Sequence, residues 1–197
     1  IAAGNKFGSL TVILANSNIV VTSPLDSSVA SNNGAVHLYN PFTKIVIASF
    51  YGDTAEDQLG LSSVTALGNN NFVIASASDD VNSVVNAGSV MLINGATGAQ
   101  IGTTLAGDTA EDQLGSSSVT ALGNNNFVIA SAYDDVNSVS NAGSVMLING
   151  ATGAQIGTTR VGDNTNDYFG SAWITSLGNN NFVIASRWDD ISSVTDV

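Results

Sequence analysis

The stretch that decides the fold is Gly52-Asp-Thr-Ala-Glu-Asp-Gln-Leu-Gly60, which returns unchanged at residues 107–115. A degraded copy, Gly162-Asp-Asn-Thr-Asn-Asp-Tyr-Phe-Gly170, follows after the same step of 55 residues. A fixed period of this length indicates supersecondary units that stack or are arranged radially. Residues 52–106 and 107–161 differ at only five positions: Leu61/Ser116, Ser78/Tyr133, Val85/Ser140, Leu105/Arg160 and Ala106/Val161.

The period extends toward both ends of the chain. Phe7-Gly-Ser-Leu-Thr-Val aligns with Leu59-Gly-Leu-Ser-Ser-Val, and residues 169–190 repeat the first half of a unit. We therefore expect one repeat array over residues 1–197, with units at approximately 1–51, 52–106, 107–161 and an incomplete 162–197. Exposed sheet edges and faces promote association. We expect the partial units to be completed by adjoining repeats of a longer chain or by copies of the same chain.

Each unit contains four segments that are typical of strands. The second and third segments are continuous apolar runs, which indicates strands buried on both faces. Asn-rich and Asn-Gly turns separate the segments, as in antiparallel hairpins. In the first clear copy the four segments are residues 62–67, 71–76, 88–93 and 99–105.

These segments predict an all-β fold of tandem four-stranded antiparallel repeats of 55 residues, shaped like the blades of a β-propeller. A β-solenoid is the alternative, although its coils are usually shorter and contain fewer hairpins. We expect the core between the sheets to contain Phe72, Ile74, Val90 and Leu92, or their neighbours on the same faces.

The order of short motifs resembles the FG-GAP repeat of integrin α-subunit propellers and of many bacterial surface proteins. Phe7-Gly8 and Phe169-Gly170 match the Phe-Gly element, and Leu59-Gly60 and Leu114-Gly115 are variants of it. Gly34-Ala-Val-His-Leu-Tyr39 resembles the family's Gly-Ala-Val-Tyr-Val-Tyr strand. The resemblance implies a propeller fold and a place at the cell surface.

One departure from that family concerns calcium. The family's hairpin between the first two strands often carries an Asp-x-Asp-x-Asp-Gly calcium loop. Here the corresponding hairpins read Gly-Asn-Asn-Asn at residues 68–71, 123–126 and 178–181, without a carboxylate. Calcium sites normally include carboxylates among their roughly 6–8 oxygen ligands. We therefore expect the family's usual calcium site to be lost.

The carboxylates concentrate instead in the loop between units. Close like charges are unfavourable unless a cation or backbone amides neutralise them. These residues either cap turns through their own loop amides, which is the interpretation we favour, or bind Ca²⁺ as the alternative. The same two interpretations apply to the Asp-Asp pairs at 79–80, 134–135 and 189–190. The candidate ligands in the loops between units are Asp53, Glu56, Asp57, Asp108, Glu111, Asp112, Asp163 and Asp167.

The charge balance restricts the possible partners. Sixteen acidic residues against four basic ones give a net charge of −12, and the basic residues are scattered. Nucleic acid and anionic membrane surfaces require clustered Lys and Arg, so neither is an expected partner. No apolar run approaches the roughly 20 residues of a membrane span. The composition is typical of a secreted or cell-surface protein, and cysteine is absent.

Near-identical units favour a non-catalytic structural or adhesive protein, for instance a segment of a surface filament or stalk. An enzyme would need one specialised constellation, whereas the acidic groups recur in every unit. The alternative is a lectin-like propeller that binds surface glycans. Tyr133 and Trp188 share one repeat position and are the candidate ligand-binding residues, because an exposed aromatic ring can stack on a sugar face.

Overall fold

The computed structural model describes residues 4–188, and this part of the chain contains strands and turns but no helix. Three four-stranded antiparallel sheets and one two-stranded sheet follow one another along the chain. The first sheet comprises β1 (Thr11–Ile13), β2 (Ile19–Ser23), β3 (Ala35–Asn40) and β4 (Ile45–Tyr51). The second comprises β5 (Ser63–Ala66), β6 (Phe72–Ser76), β7 (Ser89–Ile93) and β8 (Gln100–Ala106). The third comprises β9 (Ser118–Ala121), β10 (Phe127–Ser131), β11 (Ser144–Ile148) and β12 (Arg160–Val161), and the fourth β13 (Ile174–Gly178) and β14 (Asn181–Ile184).

These sheets confirm the all-β prediction of tandem four-stranded repeats. Within each sheet the strands pair in chain order, so neighbouring strands are joined by short hairpins or loops. In the second sheet the two middle strands, β6 and β7, pair without a bulge, so that Phe72 lies opposite Ile93 and Ala75 opposite Val90. All five residues of β6 are buried, as the continuous apolar run predicts.

Each sheet has two chemically different faces. In the second sheet Phe72, Ile74 and Ile93 form one face, which we call the phenylalanine face. The opposite face, which we call the valine face, carries Val73, Ala75, Val90 and Leu92. The four residues expected in the core are all buried, with two of them on each face.

The valine face of each sheet packs against the phenylalanine face of the next sheet. Val20, Val36 and Leu38 of the first sheet contact the phenylalanine face of the second. The valine face of the second sheet packs in the same way on Phe127, Ile129 and Ile148 of the third. This identical pairing explains why the apolar runs tolerate so little change between the copies.

The first strands of successive sheets also lie against one another. β1 contacts β5, β5 contacts β9, and β9 contacts β13. The Thr65 hydroxyl of β5 donates to the carbonyl of Val119 in β9 at 3.1 Å. The outer strand is less regular, since β12 has two residues where β8 has seven. Two of the five positions that differ between the copies, Leu105/Arg160 and Ala106/Val161, lie in this outer strand.

The loops between units are joined to the preceding sheet by backbone hydrogen bonds. Leu59 N–H donates to the carbonyl of Asn33 at 3.0 Å, and Gly52 N–H donates to the carbonyl of Gly34 at 3.2 Å. A Cβ at Gly34, where φ is +77°, would lie 2.2 Å from the Leu59 nitrogen. Only glycine fits this close approach. The Leu-Gly motif of one unit and the glycine before the third strand of the preceding unit therefore mark a contact between units. No helix in the described part of the chain is long and apolar enough to cross a membrane.

Candidate cation sites at the sheet junctions

The loop between units is organised around one buried aspartate. Asp57 is only 1% exposed, and its carboxylate accepts hydrogen bonds from the Thr54 amide, at 2.7 Å, and from the Thr54 hydroxyl. Asp112 accepts the same two bonds from Thr109, and Asp167 accepts an amide bond from Asn164. These three aspartates therefore cap turns, which is the alternative that the sequence left open.

Turn capping does not account for the other carboxylates that meet at this place. Asp53, Asp57 and Asp79 each offer an oxygen, and these oxygens all lie within 4.8 Å of one another. Asp108, Asp112 and Asp134 form the same group one unit later. Two oxygens bound to one calcium at about 2.3–2.6 Å can be up to roughly 5 Å apart, so each group could hold a metal ion.

Each group of carboxylates borders an open pocket. The first pocket has a volume of about 480 Å³, and Asp53 and Asp79 line it together with Tyr51 and Thr104. The second has a volume of about 340 Å³ and is lined by Asp108 and Asp134. A hydrated cation therefore has access to these carboxylates from solvent, while Asp57 and Asp112 are fixed behind them by the turn.

One aspartate in each group has a pKa that is raised first by burial and further by the neighbouring negative charges. Burial away from water raises the pKa of Asp79 to about 6, and the charges of Asp57 and Asp53 add to this effect. Burial and the charges of Asp112 and Asp108 raise the pKa of Asp134 to about 6 as well. Either a proton or a cation stabilises such a cluster.

We number the junctions by the sheet that follows each of them, so the first junction is the loop before β1. At this junction a side-chain amide, and not a second carboxylate, faces the aspartate. Asn5 occupies the position of Asp57, since the Ser23 hydroxyl donates to the Asn5 carbonyl as Ser76 does to that of Asp57. The Asn5 side-chain amide donates to Asp26 at 2.7 Å. Burial raises the pKa of Asp26, but hydrogen bonds from Ser28 and Asn5 outweigh it and hold the pKa below its ordinary 3.8. The first junction therefore needs no cation.

The two glutamates of the predicted set do not belong to these groups. The Glu56 carboxylate is exposed and accepts a hydrogen bond of 3.0 Å from the Asn32 side chain of the preceding unit. Glu111 accepts the same bond from Asn86 at 2.9 Å. Both glutamates therefore point toward the preceding unit and not toward Asp57 and Asp112. The structure therefore replaces Glu56 by Asp79 and Glu111 by Asp134 in the candidate ligand set.

The third predicted set is only partly described. Asp163 N–H donates to the Asp167 carboxylate at 2.9 Å, which reproduces the turn of the earlier copies. The repeat step places Asp189 where Asp79 and Asp134 stand, and the pair 189–190 lies outside the described residues.

The Asn-rich hairpins have a role that the sequence did not reveal. Asn69 and Asn71 both donate side-chain amide hydrogen bonds to the carbonyl of Gly150 in the next sheet, at 3.0 and 2.8 Å. Asn16 and Asn18 bind the carbonyl of Gly95 in the same way. Where the resemblance to FG-GAP repeats leads one to expect calcium ligands, this chain places amides that join successive sheets.

The two candidate ligand-binding aromatics lie together. Tyr133 and Trp188 line one cleft of about 430 Å³ between the third and fourth sheets, and Tyr168 is a third aromatic in it. The rings of Tyr133 and Tyr168 are 5.8 Å apart and nearly perpendicular. The sequence had singled out the first two residues from a shared repeat position, without predicting that they meet.

Sequence reasoning missed Asp79 and Asp134 as partners of the inter-unit loops because some 20 residues separate them from Asp57 and Asp112. The only sequence signal is that the position of Asp57 holds Asn5 in the first unit, while the position of Asp79 keeps a carboxylate as Asp26. Comparing the units position by position could have linked the two loops.

Comparison with known families supports the repeat. Residues 66–116 and 121–171 each match the family described as "Repeat of unknown function (DUF5650)". The two matched stretches are offset by the same 55 residues that separate the copies in the sequence. The search of curated proteins gave no match.

Proposed function

The chain belongs to the family of repeats of unknown function (DUF5650), and we propose that it is a non-catalytic structural or adhesive protein, secreted or held at the cell surface. The observation that carries this proposal is the reuse of one set of contacts at successive junctions. Leu59, Leu114 and Phe169 each donate a backbone hydrogen bond of 2.9–3.0 Å to the preceding unit. A structural protein needs the same contact between each pair of neighbouring units. An enzyme needs one site whose residues differ from those of the other units.

The sheets are proposed to be arranged radially, as the blades of an FG-GAP-like propeller. In that arrangement the first strand of every blade lies near a common axis. The contacts of β1 with β5, β5 with β9, and β9 with β13 support it, because they bring the first strands of successive sheets close together in series.

Calcium is proposed to hold the second and third junctions. The aspartates at these junctions have oxygens within 4.8 Å of one another, and oxygen-only groups suit a hard cation. The ion would join the loop between units to Asp79 or Asp134, which precedes the third strand of the same sheet. Extracellular sites of this kind work at roughly 10⁻⁴–10⁻³ M calcium.

The partner of this protein is proposed to be another repeat of the same kind. Leu177 is 63% exposed on the valine face of the fourth sheet, although the corresponding Leu67 is 2% exposed under the next sheet. Trp173 and Val183 are exposed on the same face. The phenylalanine face of an adjoining repeat, or the corresponding face of the first sheet in a second copy, would cover these positions as they are covered at the other junctions.

The experiment that tests this function is sedimentation of the 197-residue chain over a range of concentrations, combined with electron microscopy. Association into longer particles is expected, and Leu177→Asp should abolish it by placing a charge in the contact. Val85→Asp, at a position in an exposed loop, is the matched control and should leave association intact. A chain that stays monomeric at the highest concentrations would contradict the proposal.

A further inference from the structure

The cleft between the third and fourth sheets is chemically different from the acidic pockets. It has a volume of about 430 Å³, within the roughly 300–1,000 Å³ typical of small-molecule sites. The described residues that line it are uncharged, and they combine aromatic rings with hydroxyl groups. They include Ser116, Ser117, Tyr133, Tyr168, Ser171 and Trp188.

The differences between otherwise identical copies converge on this cleft. Of the five positions that differ, Leu61/Ser116 and Ser78/Tyr133 place a small serine and a tyrosine in its lining. The degraded unit adds Tyr168 and Trp188. At the preceding junction the corresponding positions hold Leu61, Ser78, Gln113 and Tyr133. The substitutions therefore remove one aliphatic side chain and add two aromatic rings at a single place in the array.

The three rings are arranged to receive a ligand with an apolar face. Tyr133 and Trp188 are nearly half exposed, so their rings are accessible from solvent. Tyr168 stands almost perpendicular to Tyr133, and its hydroxyl donates to Asn166 at 3.1 Å, which fixes the ring. Rigid Tyr and Trp rings provide amphipathic contact area at a low cost in conformational entropy.

The polar groups of the cleft favour a ligand rich in hydroxyls. The hydroxyls of Ser116 and Ser171 have no hydrogen-bond partner among the described residues, although both oxygens are shielded from water. An unpaired buried hydroxyl is unfavourable, and rotation about χ1 lets it turn toward a group in the cleft. Ser117 already accepts a bond from the Ala132 amide at 3.1 Å and retains its own hydrogen to donate.

We propose that this cleft binds a neutral pyranose ring, stacked against the aromatic side chains and hydrogen-bonded by the serines. The absence of charge among its described lining residues selects against sialylated, sulfated or uronic-acid sugars, which the net charge of −12 also repels. The site is expected at this cleft and not once in every repeat, because the corresponding positions of the preceding junction hold one aromatic ring and not three. It is independent of the assembly described above.

The test begins with a glycan array that carries neutral and anionic oligosaccharides, from polysaccharides and from protein-linked glycans. The best neutral oligosaccharide is then titrated into the Trp173→Phe chain by calorimetry and tryptophan fluorescence, so that Trp188 alone reports. Saturable binding with a change in Trp188 emission is expected. Tyr133→Ser and Ser116→Leu, which restore the residues of the other copy, should each weaken binding by about tenfold or more.

Two controls make this result specific. Ser140→Val also restores the residue of the other copy, outside the lining described for the cleft, and should leave the affinity unchanged. The triple variant Leu61→Ser, Ser78→Tyr and Gln113→Tyr should create a second binding site at the preceding junction. Three outcomes would overturn the proposal: no saturable binding of any neutral saccharide, binding of anionic glycans only, or an affinity unchanged by Tyr133→Ser and Ser116→Leu in chains that still unfold cooperatively.

Discussion

The side-chain amide of Asn5 donates to the carboxylate of Asp26 at 2.7 Å, at the two positions that hold Asp57 and Asp79 one unit later. The first junction is therefore neutralised by a hydrogen bond within the protein. The second junction, and the third with Asp112 and Asp134, place carboxylates at both positions, so no side-chain amide joins the two. This difference between the junctions provides an internal comparison for every experiment on the acidic groups.

Calcium is expected to raise the thermal unfolding midpoint of the chain. At about 100 times its dissociation constant it adds about 2.7 kcal/mol per independent site, which corresponds to roughly 5–10 °C for a domain of this size. The measurement compares EGTA with millimolar calcium at matched ionic strength. In Asp79→Asn the asparagine supplies the missing donor, so the midpoint in EGTA should rise and the calcium response should fall by about half.

Glu56→Gln is the matched control for the calcium experiment, because Glu56 binds Asn32 and lies outside the group of three aspartates. Its calcium response should equal that of the unmodified chain. An identical midpoint with EGTA and with calcium in the unmodified chain would leave the aspartates as turn caps alone.

Without calcium, the stability of the chain should fall as the pH rises from about 4 to about 7. Asp79 and Asp134 have pKa values raised to about 6 in the folded chain, against 3.8 as the ordinary value. The folded state therefore binds more protons than the unfolded state in this window, and the free energy of unfolding decreases as these protons are lost. The double variant Asp79→Asn, Asp134→Asn should flatten the profile measured by denaturant titration. A stability that increases over this range would contradict the expectation.

Asn71→Ala should lower the stability by about 1–2 kcal/mol, since it removes a buried hydrogen bond to the Gly150 carbonyl. Asn124→Ala is the control, because the Asn124 side chain accepts only a long bond of 3.4 Å within its own hairpin. Urea unfolding of the two variants provides the comparison. Equal losses would show that the Asn-rich hairpins act as turns and do not join successive sheets.

Gly107→Ala should cost about 1–3 kcal/mol through overpacking. An added Cβ would lie 2.3 Å from the Ala87 carbonyl oxygen and 2.7 Å from the Asp112 Cβ. Gly123→Ala offers a contrasting glycine, because its Cβ would meet only the Cα of Gly178, at 4.0 Å. Differential scanning calorimetry should therefore give a lower unfolding midpoint for Gly107→Ala than for Gly123→Ala. Equal midpoints would show that Gly107 is not tightly packed against Ala87 and Asp112.

The strands were predictable because each unit repeats its signals. The predicted segments 71–76 and 88–93 became β6 and β7 with a shift of one residue at the start, since an apolar run between two turns leaves little freedom in register. The fourth segment is more polar than the two middle ones, and the structure shortens it to Arg160–Val161 in the third sheet. An outer strand pairs with one neighbour and is little buried. Its length therefore depends on local packing, which the period of the apolar residues does not predict.

The candidate site was predictable only in part. Asp53 and Asp57 stand close in sequence, and the pattern identified them together with the capping alternative. Asp79 reaches them through the folding of β5 and β6 back across the sheet, and Glu56 instead accepts a hydrogen bond from Asn32 of the preceding unit. Neither effect follows from spacing alone. The Asn69 and Asn71 contacts with Gly150 likewise join residues some 80 positions apart, which turn chemistry does not predict.

The unlike faces of every sheet give the array a direction. A valine face always meets a phenylalanine face, so a row of these sheets has two different ends, as a filament with a plus and a minus end does. Two copies related by a two-fold axis would present like to like, and their contact would not reproduce the fit that Val73 and Leu92 make with Phe127 inside the chain. Under the proposed association, growth by this contact would be head-to-tail, and it would either close into a ring or continue as an open fibre. Duplication of one unit in the gene lengthens such an array without requiring a new interface.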